Sequence, residues 1–167
     1  MQKDQRNILA INPGSRYLGI AVFVGTELRD WAVKLTRRRR IQSIMSEYIN
    51  QYGVRIIALK KVHPSRTSSE LRSIVSSMES IAMQRRLMLR EYSIDEVETA
   101  LLPQKRKNKR LLMEEVVARY PFLLNQFHQE EKNKNPYLIR MFETVGIGSV
   151  CLSQFDTAEQ KVARSIK

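Results

Sequence analysis

The sequence predicts an α/β fold: a central five-stranded mixed sheet flanked by helices. Residues 1–35 hold three apolar stretches separated by turn residues, which is typical of antiparallel strands. Two later apolar runs alternate with segments whose apolar residues recur at helical spacing. Because strands that alternate with helices tend to pair in parallel, the sheet should combine an antiparallel meander with parallel strands.

The first three strands form the predicted meander. Residues 8–11 are continuously apolar and are followed by Asn-Pro-Gly-Ser at 12–15, as in a buried strand that ends at a turn. Residues 18–24 are the second strand and residues 28–35 the third. Gly25 and Thr26 supply the hairpin turn between them.

The middle of the chain alternates helix and strand. Apolar residues with helical spacing predict a first helix, which Gly53 ends. A buried strand follows at 55–59 and a loop at 63–67. The same spacing then predicts a second, longer helix. These residues are Ile41, Ile44, Met45, Tyr48, Ile49 and Tyr52 in the first helix, and Leu71, Ile74, Val75, Met78, Ile81 and Ala82 in the second. Residues 87–92 are the fifth strand.

The C-terminal part is predicted to be helical with charged connections. Ser93 and Glu96 have the spacing of a capping box and predict a helix from Ile94. A charged loop, 105–110, leads to a helix that stops at Pro121, and the polar residues 125–135 are predicted to be a surface connection. A last helix begins near Pro136, in a favoured first-turn position. Apolar residues that face inward are Leu112, Val116, Val117 and Tyr120 in the earlier helix, and Leu138, Met141, Phe142 and Val145 in the last. Residues 1–167 are interpreted as a single domain with a tail, 154–167, that we expect to fray.

Composition excludes several classes of protein. A single cysteine, Cys151, rules out an intramolecular disulfide, and with only His63 and His128 a Cys/His zinc site is excluded as well. No apolar run approaches the roughly 20 residues of a membrane helix. The N-terminus lacks the apolar core of a secretory signal, so we expect a cytoplasmic protein.

Charge gives the first positive indication of function. The chain carries 29 Lys and Arg against 17 Asp and Glu, a formal net charge of +12, which favours a polyanionic partner. Two clusters concentrate the excess: Lys34 with Arg37, Arg38, Arg39 and Arg40, and Lys105, Arg106, Lys107, Lys109 and Arg110. Such clusters are suited to contacts with nucleic-acid phosphates, which give affinity but no base-sequence specificity. The alternative interpretation is a basic surface that is only solvated. Few aromatic residues lie near them in sequence, so contacts to a duplex or branched backbone fit better than stacking on single-stranded bases.

The opening stretch ILAINPGSRYLGIAVF and the order of the strands resemble the RuvC-type Holliday-junction resolvases of the RNase H-like superfamily. The matching residues are Asn12-Pro13-Gly14-Ser15-Arg16 and Gly19. We interpret Gly14 and Gly19 as backbone necessities rather than ligand contacts. Residues 58–62, 90–97 and 141–148 resemble the family's fourth strand, fifth strand with its helix, and last helix. The resemblance implies an RNase H-like fold, a homodimer, and DNA facing the region of residues 105–110.

The resemblance also implies two divalent metals held by four carboxylates, and the sequence departs from that pattern. The first-strand Asp is Asn12, the fourth-strand Glu falls on Lys60 (or on Lys61 in a register shifted by one), and the two acids of the last helix fall on Arg140 and Glu143. Four negative charges thus become a net charge of +1. Since one pair of like charges at about 4 Å costs about 4 kcal/mol at an effective dielectric constant of 20, we expect no metal cofactor. Mg²⁺ would be needed only by an active enzyme.

We therefore hypothesise a pseudonuclease that binds nucleic acid, DNA rather than RNA, through the basic clusters and through Lys60, Lys61 and Arg140. No membrane partner is expected. These residues also have simpler interpretations. Arg140 and Glu143 have the spacing of an ion pair across one helical turn. Asn12 precedes a proline at the end of a strand, where asparagine is a common turn residue.

Three other functions stay open. One is an active structure-selective endonuclease that uses Glu143 with Asp30, Glu91 or Asp156; it requires three carboxylates to converge near Asn12. Another is nucleotide binding, as in the actin and sugar-kinase superfamily, although those proteins need an acid at Asn12 and a chain at least twice as long. The third is a protein-interaction scaffold, which an exposed apolar patch would favour.

Overall fold

Five strands form one mixed sheet in the order β3-β2-β1-β4-β5. The computed structural model describes residues 6–36, 40–104, 106–133 and 136–166. Its strands are β1 (Ile8–Asn12), β2 (Tyr17–Val24), β3 (Glu27–Leu35), β4 (Ile56–Lys60) and β5 (Met88–Tyr92). β2 pairs antiparallel with β1 and β3, and β4 pairs in parallel with β1 and β5. The predicted mixed sheet, with its meander and its parallel strands, is confirmed.

Helices cover both faces of this sheet. They are α1 (Ile41–Tyr52), α2 (Ser69–Gln84), α3 (Ile94–Leu101), α4 (Lys109–Arg119), α5 (Leu124–Asn133) and α6 (Pro136–Ser165). One apolar core lies between the sheet and α1 and α2, and the other between the sheet and α3 to α6. Nowhere in the described residues is a helix long and apolar enough to cross a membrane.

The predicted helix ends are confirmed where the sequence carries a cap. Gly53 ends α1 in the left-handed conformation (φ +58°) that glycine adopts without strain. At the start of α3, Ser93 Oγ accepts a hydrogen bond from the Glu96 amide (3.1 Å), and the Ser93 amide donates to Glu96 Oε2 (2.7 Å). This is the predicted capping box.

Two predictions in the C-terminal part need correction. Residues 125–135 are not a surface connection: most of them form α5, where Phe127 and Glu130 are buried. The charged loop is shorter than predicted, because Asn108 caps α4 and places Lys109 and Arg110 in its first turn. Residues 154–165 continue α6 as a mostly exposed helix, and the fraying expected for this segment stays a prediction.

One edge of the sheet collects the strand ends that matter for function. β1, β4 and β5 run in the same direction and end together, and we call this side the carboxyl edge. Side chains alternate between the two faces of a strand. Asn12 therefore shares with Ala10, and Lys60 with Ala58, the face against which α6 packs.

Candidate functional site

The carboxyl edge brings together the four residues that the family resemblance places at the metal-ligand positions. Asn12 and Lys60 end the neighbouring parallel strands β1 and β4. Arg140 and Glu143 lie one turn apart on α6, which crosses the same edge. Sequence reasoning chose these residues from separate segments, and the fold places them in one hydrogen-bonded group.

A continuous network links their side chains. Buried Asn12 donates from Nδ2 to Glu143 Oε2 (3.2 Å), and Lys60 Nζ donates to the same oxygen (2.9 Å). Arg140 Nη1 donates to Asn12 Oδ1 (3.2 Å) and to the Pro13 carbonyl (3.4 Å). The Glu143 side chain is 9% exposed and that of Lys60 25%. We call these four residues, Asn12, Lys60, Arg140 and Glu143, the edge network.

Two glycines let α6 approach closely enough to form the network. A Cβ at Gly19 would overlap Thr144 Oγ1, and one at Gly14 would overlap the Arg140 guanidinium and the Tyr17 carbonyl. Thr144 in turn donates its hydroxyl proton to the Arg140 carbonyl (2.6 Å). Both glycines therefore make room for α6.

The charge of the edge network matches the count made from the sequence: two cations, one carboxylate and one neutral amide. Glu143 pairs with Lys60, and Asn12 bridges Glu143 to Arg140, so the simple Arg140–Glu143 pair is not what forms. Lys60 rather than Lys61 enters the network. Lys61 lies on the surface with its Nζ 3.9 Å from Glu96 Oε2.

The acids proposed as alternative metal ligands lie elsewhere. Asp30 accepts a hydrogen bond from the Tyr52 hydroxyl (2.9 Å) on the opposite face of the sheet. Glu91 alternates with Tyr92, which faces α6, and so points to the α2 side. Asp156 follows Glu143 by more than three helical turns, about 20 Å along α6. No group of three His, Cys, Asp or Glu side chains in the described residues could hold a metal ion.

The predicted basic loop, 105–110, lies at the same edge of the sheet, but acidic side chains neutralise part of its positive charge. Lys107 Nζ is 2.8 Å from Asp95 Oδ1, and Arg110 lies 3.0 Å from both Glu114 Oε1 and Glu131 Oε1. Arg106 and Lys109 are exposed, and Lys105 lies outside the described residues. Burial, and then the nearby charge of Glu143, raise the pKa of Glu98 in the same region.

The first basic cluster is described only in part. Arg40 is exposed at the start of α1, and Lys34 places its ammonium 5.0 Å from the centre of the Tyr48 ring. Arg37, Arg38 and Arg39 lie outside the described residues.

Sequence reasoning missed three exposed arginines on the carboxyl edge. Arg16 lies in the turn after β1 and Arg66 in the loop after β4, while Arg72 lines a cleft with Lys60 and Lys61. None of the three has an acidic partner among the residues that the structure describes. Because each stands alone in sequence, only the strand topology reveals that they share an edge with the edge network.

Comparisons with known proteins identify the fold. No protein-family model and no curated protein matches the sequence. Among solved structures, the chain is similar to RuvC of Thermus thermophilus (TM-score 0.63, 14% identity, 84% of this chain and 92% of that one). It is similar to the same protein in complex with a Holliday junction substrate (TM-score 0.62, 15% identity, 85% of this chain and 91% of that one). It is also similar to the yeast mitochondrial Holliday junction resolvase (TM-score 0.51, 9% identity, 90% of this chain and 86% of that one). The fold is RuvC-like and RNase H-like, as the sequence resemblance predicts.

Proposed function

We propose that this RuvC-like chain binds the sugar-phosphate backbone of branched or duplex DNA and does not cleave it with metal ions. One observation carries the proposal: Lys60 and Arg140 stand in the edge network, at positions where the family resemblance implies metal-binding carboxylates. A fixed cation is suited to neutralising a phosphate and unsuited to holding a divalent ion.

The residues present do not fit a two-metal centre. Hard divalent cations need several oxygen ligands, and Glu143, the one carboxylate of the edge network, already accepts hydrogen bonds from Lys60 and Asn12. A divalent ion about 4 Å from the Lys60 ammonium would be repelled by about 8 kcal/mol at an effective dielectric constant of 20. We therefore derive no metal-dependent step.

Basic side chains on both sides of the edge network supply further phosphate contacts. Arg16 lies in the turn whose Gly14 packs against Arg140, and Arg72 lines a cleft with Lys60. Arg66 lies in the loop that follows β4, so basic side chains follow both strand ends at this edge of the sheet. The pairs of Lys107 and Arg110 with acids do not prevent DNA binding, because exposed ion pairs contribute only about 0–1 kcal/mol and a phosphate can replace the carboxylate. The solved complex of Thermus thermophilus RuvC with a Holliday junction supports DNA as the polyanion.

A gel-shift titration tests this proposal. A four-way DNA junction and a linear duplex are compared in Mg²⁺ and in EDTA across a salt series, with the matching RNA duplex as competitor. We expect binding that weakens steeply with salt, is the same in EDTA, and leaves the strands intact. Strands cut by pure protein in Mg²⁺, with cutting lost in Glu143→Gln, would refute the loss of cleavage. No binding at 50–150 mM salt would refute the DNA proposal.

Matched charge variants test the surface itself. A variant that neutralises the three flanking arginines should bind DNA more weakly, with a salt slope smaller by up to about 3 units, since each phosphate contact contributes about 0.9. A control variant removes the same charge from exposed arginines at the opposite edge of the sheet, near the starts of β4 and β5, and should bind as the wild type does. The variants are Arg16→Gln/Arg66→Gln/Arg72→Gln and Arg55→Gln/Arg85→Gln/Arg86→Gln. Equal losses in both would mean that binding follows net charge alone.

One observation favours a protein-interaction scaffold as the second candidate function. Phe122 is 52% exposed and lies against Trp31 on the edge strand β3, with ring centres 5.0 Å apart. Exposed apolar pairs of this kind occur at protein interfaces. A homodimer, which the family resemblance implies, is a further proposal that analytical ultracentrifugation tests.

A further inference from the structure

One carboxylate on the buried face of α5 has no hydrogen-bond partner among the residues that the structure describes. Phe127 and Glu130 are three residues apart on this helix and so share the face that packs against α4 and α6. Glu130 is 8% exposed. It interacts electrostatically with Arg110, but the hydrogen bonds of that guanidinium go to Glu114 and Glu131. Because an unpaired buried charge costs free energy, the place of Glu130 indicates a ligand that supplies hydrogen-bond donors.

Glu130 lines an open pocket between α4, α5 and α6, which we call the α5 pocket. Its volume, about 360 Å³, lies within the range of small-molecule sites, which is about 300–1,000 Å³. Met113 and Phe127, which are buried, and the half-buried Ile139 give it an apolar lining. Phe127 is held in place by an edge-to-face contact with Phe142, with ring centres 6.4 Å apart. The α5 pocket can therefore hold a flat apolar body beside a carboxylate that accepts hydrogen bonds.

The solvent side of the α5 pocket carries positive charge. Lys109 and Arg110 line the pocket, are exposed, and lie in the first turn of α4, where the helix dipole adds to the attraction for an anion. The other acid of the lining, Glu131, is paired with Arg110. A simple amine on its way to Glu130 would meet two cations. The arrangement instead fits a ligand with N–H donors on an apolar ring and a negative charge at its other end.

We infer that the α5 pocket binds a free guanine nucleotide, with the base against Glu130 and the phosphate against Lys109 and Arg110. Guanine is the one common nucleobase with two adjacent N–H donors on one edge, at N1 and N2, and these match the two oxygens of a carboxylate. Adenine and cytosine place an acceptor nitrogen beside their donor, and uracil and thymine flank theirs with carbonyl oxygens. A carboxylate repels those acceptors. The site lies apart from the edge network and does not depend on the proposed DNA binding.

Isothermal titration calorimetry of the whole chain, in EDTA, tests the inference. The ligands are the 5′-monophosphates of guanosine, inosine, adenosine and xanthosine (GMP, IMP, AMP and XMP), together with guanosine itself. The variants are Glu130→Gln and Lys109→Gln. The control is Glu115→Gln, because Glu115 is an acid of α4 that pairs with Arg119 and does not line the pocket. Oligothymidine with and without one guanine is a further arm, which distinguishes a free nucleotide from a guanine in nucleic acid.

We expect the wild type and Glu115→Gln to bind GMP with a Kd below about 1 mM. IMP lacks the N2 amino group and should bind about 10- to 150-fold more weakly, the range for one hydrogen bond to a charged group, and AMP more weakly still. Glu130→Gln should lose GMP by a similar factor and prefer XMP, because its amide can donate to the carbonyl that xanthine carries at the same position. Guanosine should bind more weakly than GMP, and Lys109→Gln should narrow that difference.

Four results would overturn the inference. The first is no heat of binding with GMP up to about 1 mM. The second is equal affinity for GMP, IMP and AMP. The third is a Glu130→Gln variant that binds GMP as the wild type does, or that loses GMP without preferring XMP. The fourth is tighter binding of the guanine-containing oligothymidine than of GMP, with none of the all-thymidine strand, which would assign the pocket to nucleic acid instead of a free nucleotide. The gel-shift test of DNA binding stands whichever result is found.

Discussion

Removing the charge of Glu143 should destabilise the protein by about 2–3 kcal/mol. Glu143→Gln keeps the shape of the side chain but leaves the cations of Lys60 and Arg140 with no carboxylate in the edge network. The gross attraction across the 2.9 Å Lys60–Glu143 contact is about 6 kcal/mol at an effective dielectric constant of 20. Loss of one partner from a fully buried pair costs about 3–5 kcal/mol, and the 25% exposure of the Lys60 side chain lowers that figure through solvent screening.

A double-mutant cycle isolates the ion pair from the loss of packing. Wild type, Glu143→Gln, Lys60→Met and the double variant are unfolded in urea and by heat, and their free energies of unfolding are compared. Because the double variant lacks both charges, we expect it to be more stable than the sum of the single effects predicts, by about 1.5–2 kcal/mol. For a chain of this length, 2–3 kcal/mol corresponds to a decrease in Tm of about 4–12 °C.

An exposed ion pair serves as the control. Glu114 pairs with Arg110 one turn away on α4, with both side chains well exposed, so Glu114→Gln should cost less than about 0.5 kcal/mol. If Glu143→Gln costs no more than this control, or if the coupling energy falls below about 0.5 kcal/mol, the edge network does not stabilise the fold as we reason. Glu143→Gln should also keep its DNA binding, since the substitution raises the positive charge of the edge.

Three further predictions concern other parts of the fold. Burial raises the pKa of Glu98 above its usual value near 4.5, so its contribution to stability is present below pH 4.5 and is lost as the pH rises through the folded-state pKa. Glu98→Gln should therefore raise Tm at pH 7, with a gain that shrinks toward pH 4 in thermal scans. Gly19→Ala should cost about 1–3 kcal/mol, because the new methyl group overlaps Thr144 Oγ1, and Thr144→Ala should restore part of that loss in urea melts. Cys151 is buried and its pKa is raised, chiefly by desolvation, so a disulfide reagent should modify its thiol rapidly only after unfolding.

Periodicity predicted the elements whose apolar faces are regular and failed where burial depends on one or two residues. The strands of the meander and the stripes of α1 and α2 are dense in apolar side chains, so their pattern decides their structure. α5 carries the polar sequence LNQFHQEEKN and contributes only Phe127 as a large buried apolar side chain from its middle. Its helix depends on tertiary packing against α4 and α6, which a local pattern cannot reveal.

The edge network was predictable residue by residue, but its connections were not. The family resemblance assigned Asn12, Lys60, Arg140 and Glu143 to equivalent positions, and the parallel pairing of β1 with β4 brings them together. Local spacing alone favoured a pair between Arg140 and Glu143. Instead, Lys60 from strand β4 donates a hydrogen bond to the Glu143 carboxylate. Asn12 donates to the same carboxylate through Nδ2 and accepts from the Arg140 guanidinium through Oδ1.

The edge network also predicts that the fold needs no metal ion at this place. In a site with four carboxylates, mutual repulsion must be relieved by bound cations, so the ions stabilise the protein as well as acting in catalysis. Here the cations are side chains: Lys60 neutralises Glu143, and Arg140 joins Asn12 to the turn after β1. The positive charge is thus covalently fixed and present at every Mg²⁺ concentration. It follows that Tm should be the same in EDTA and in millimolar Mg²⁺ at constant ionic strength, and a rise in Tm with Mg²⁺ would show that the charge count of the edge network is wrong.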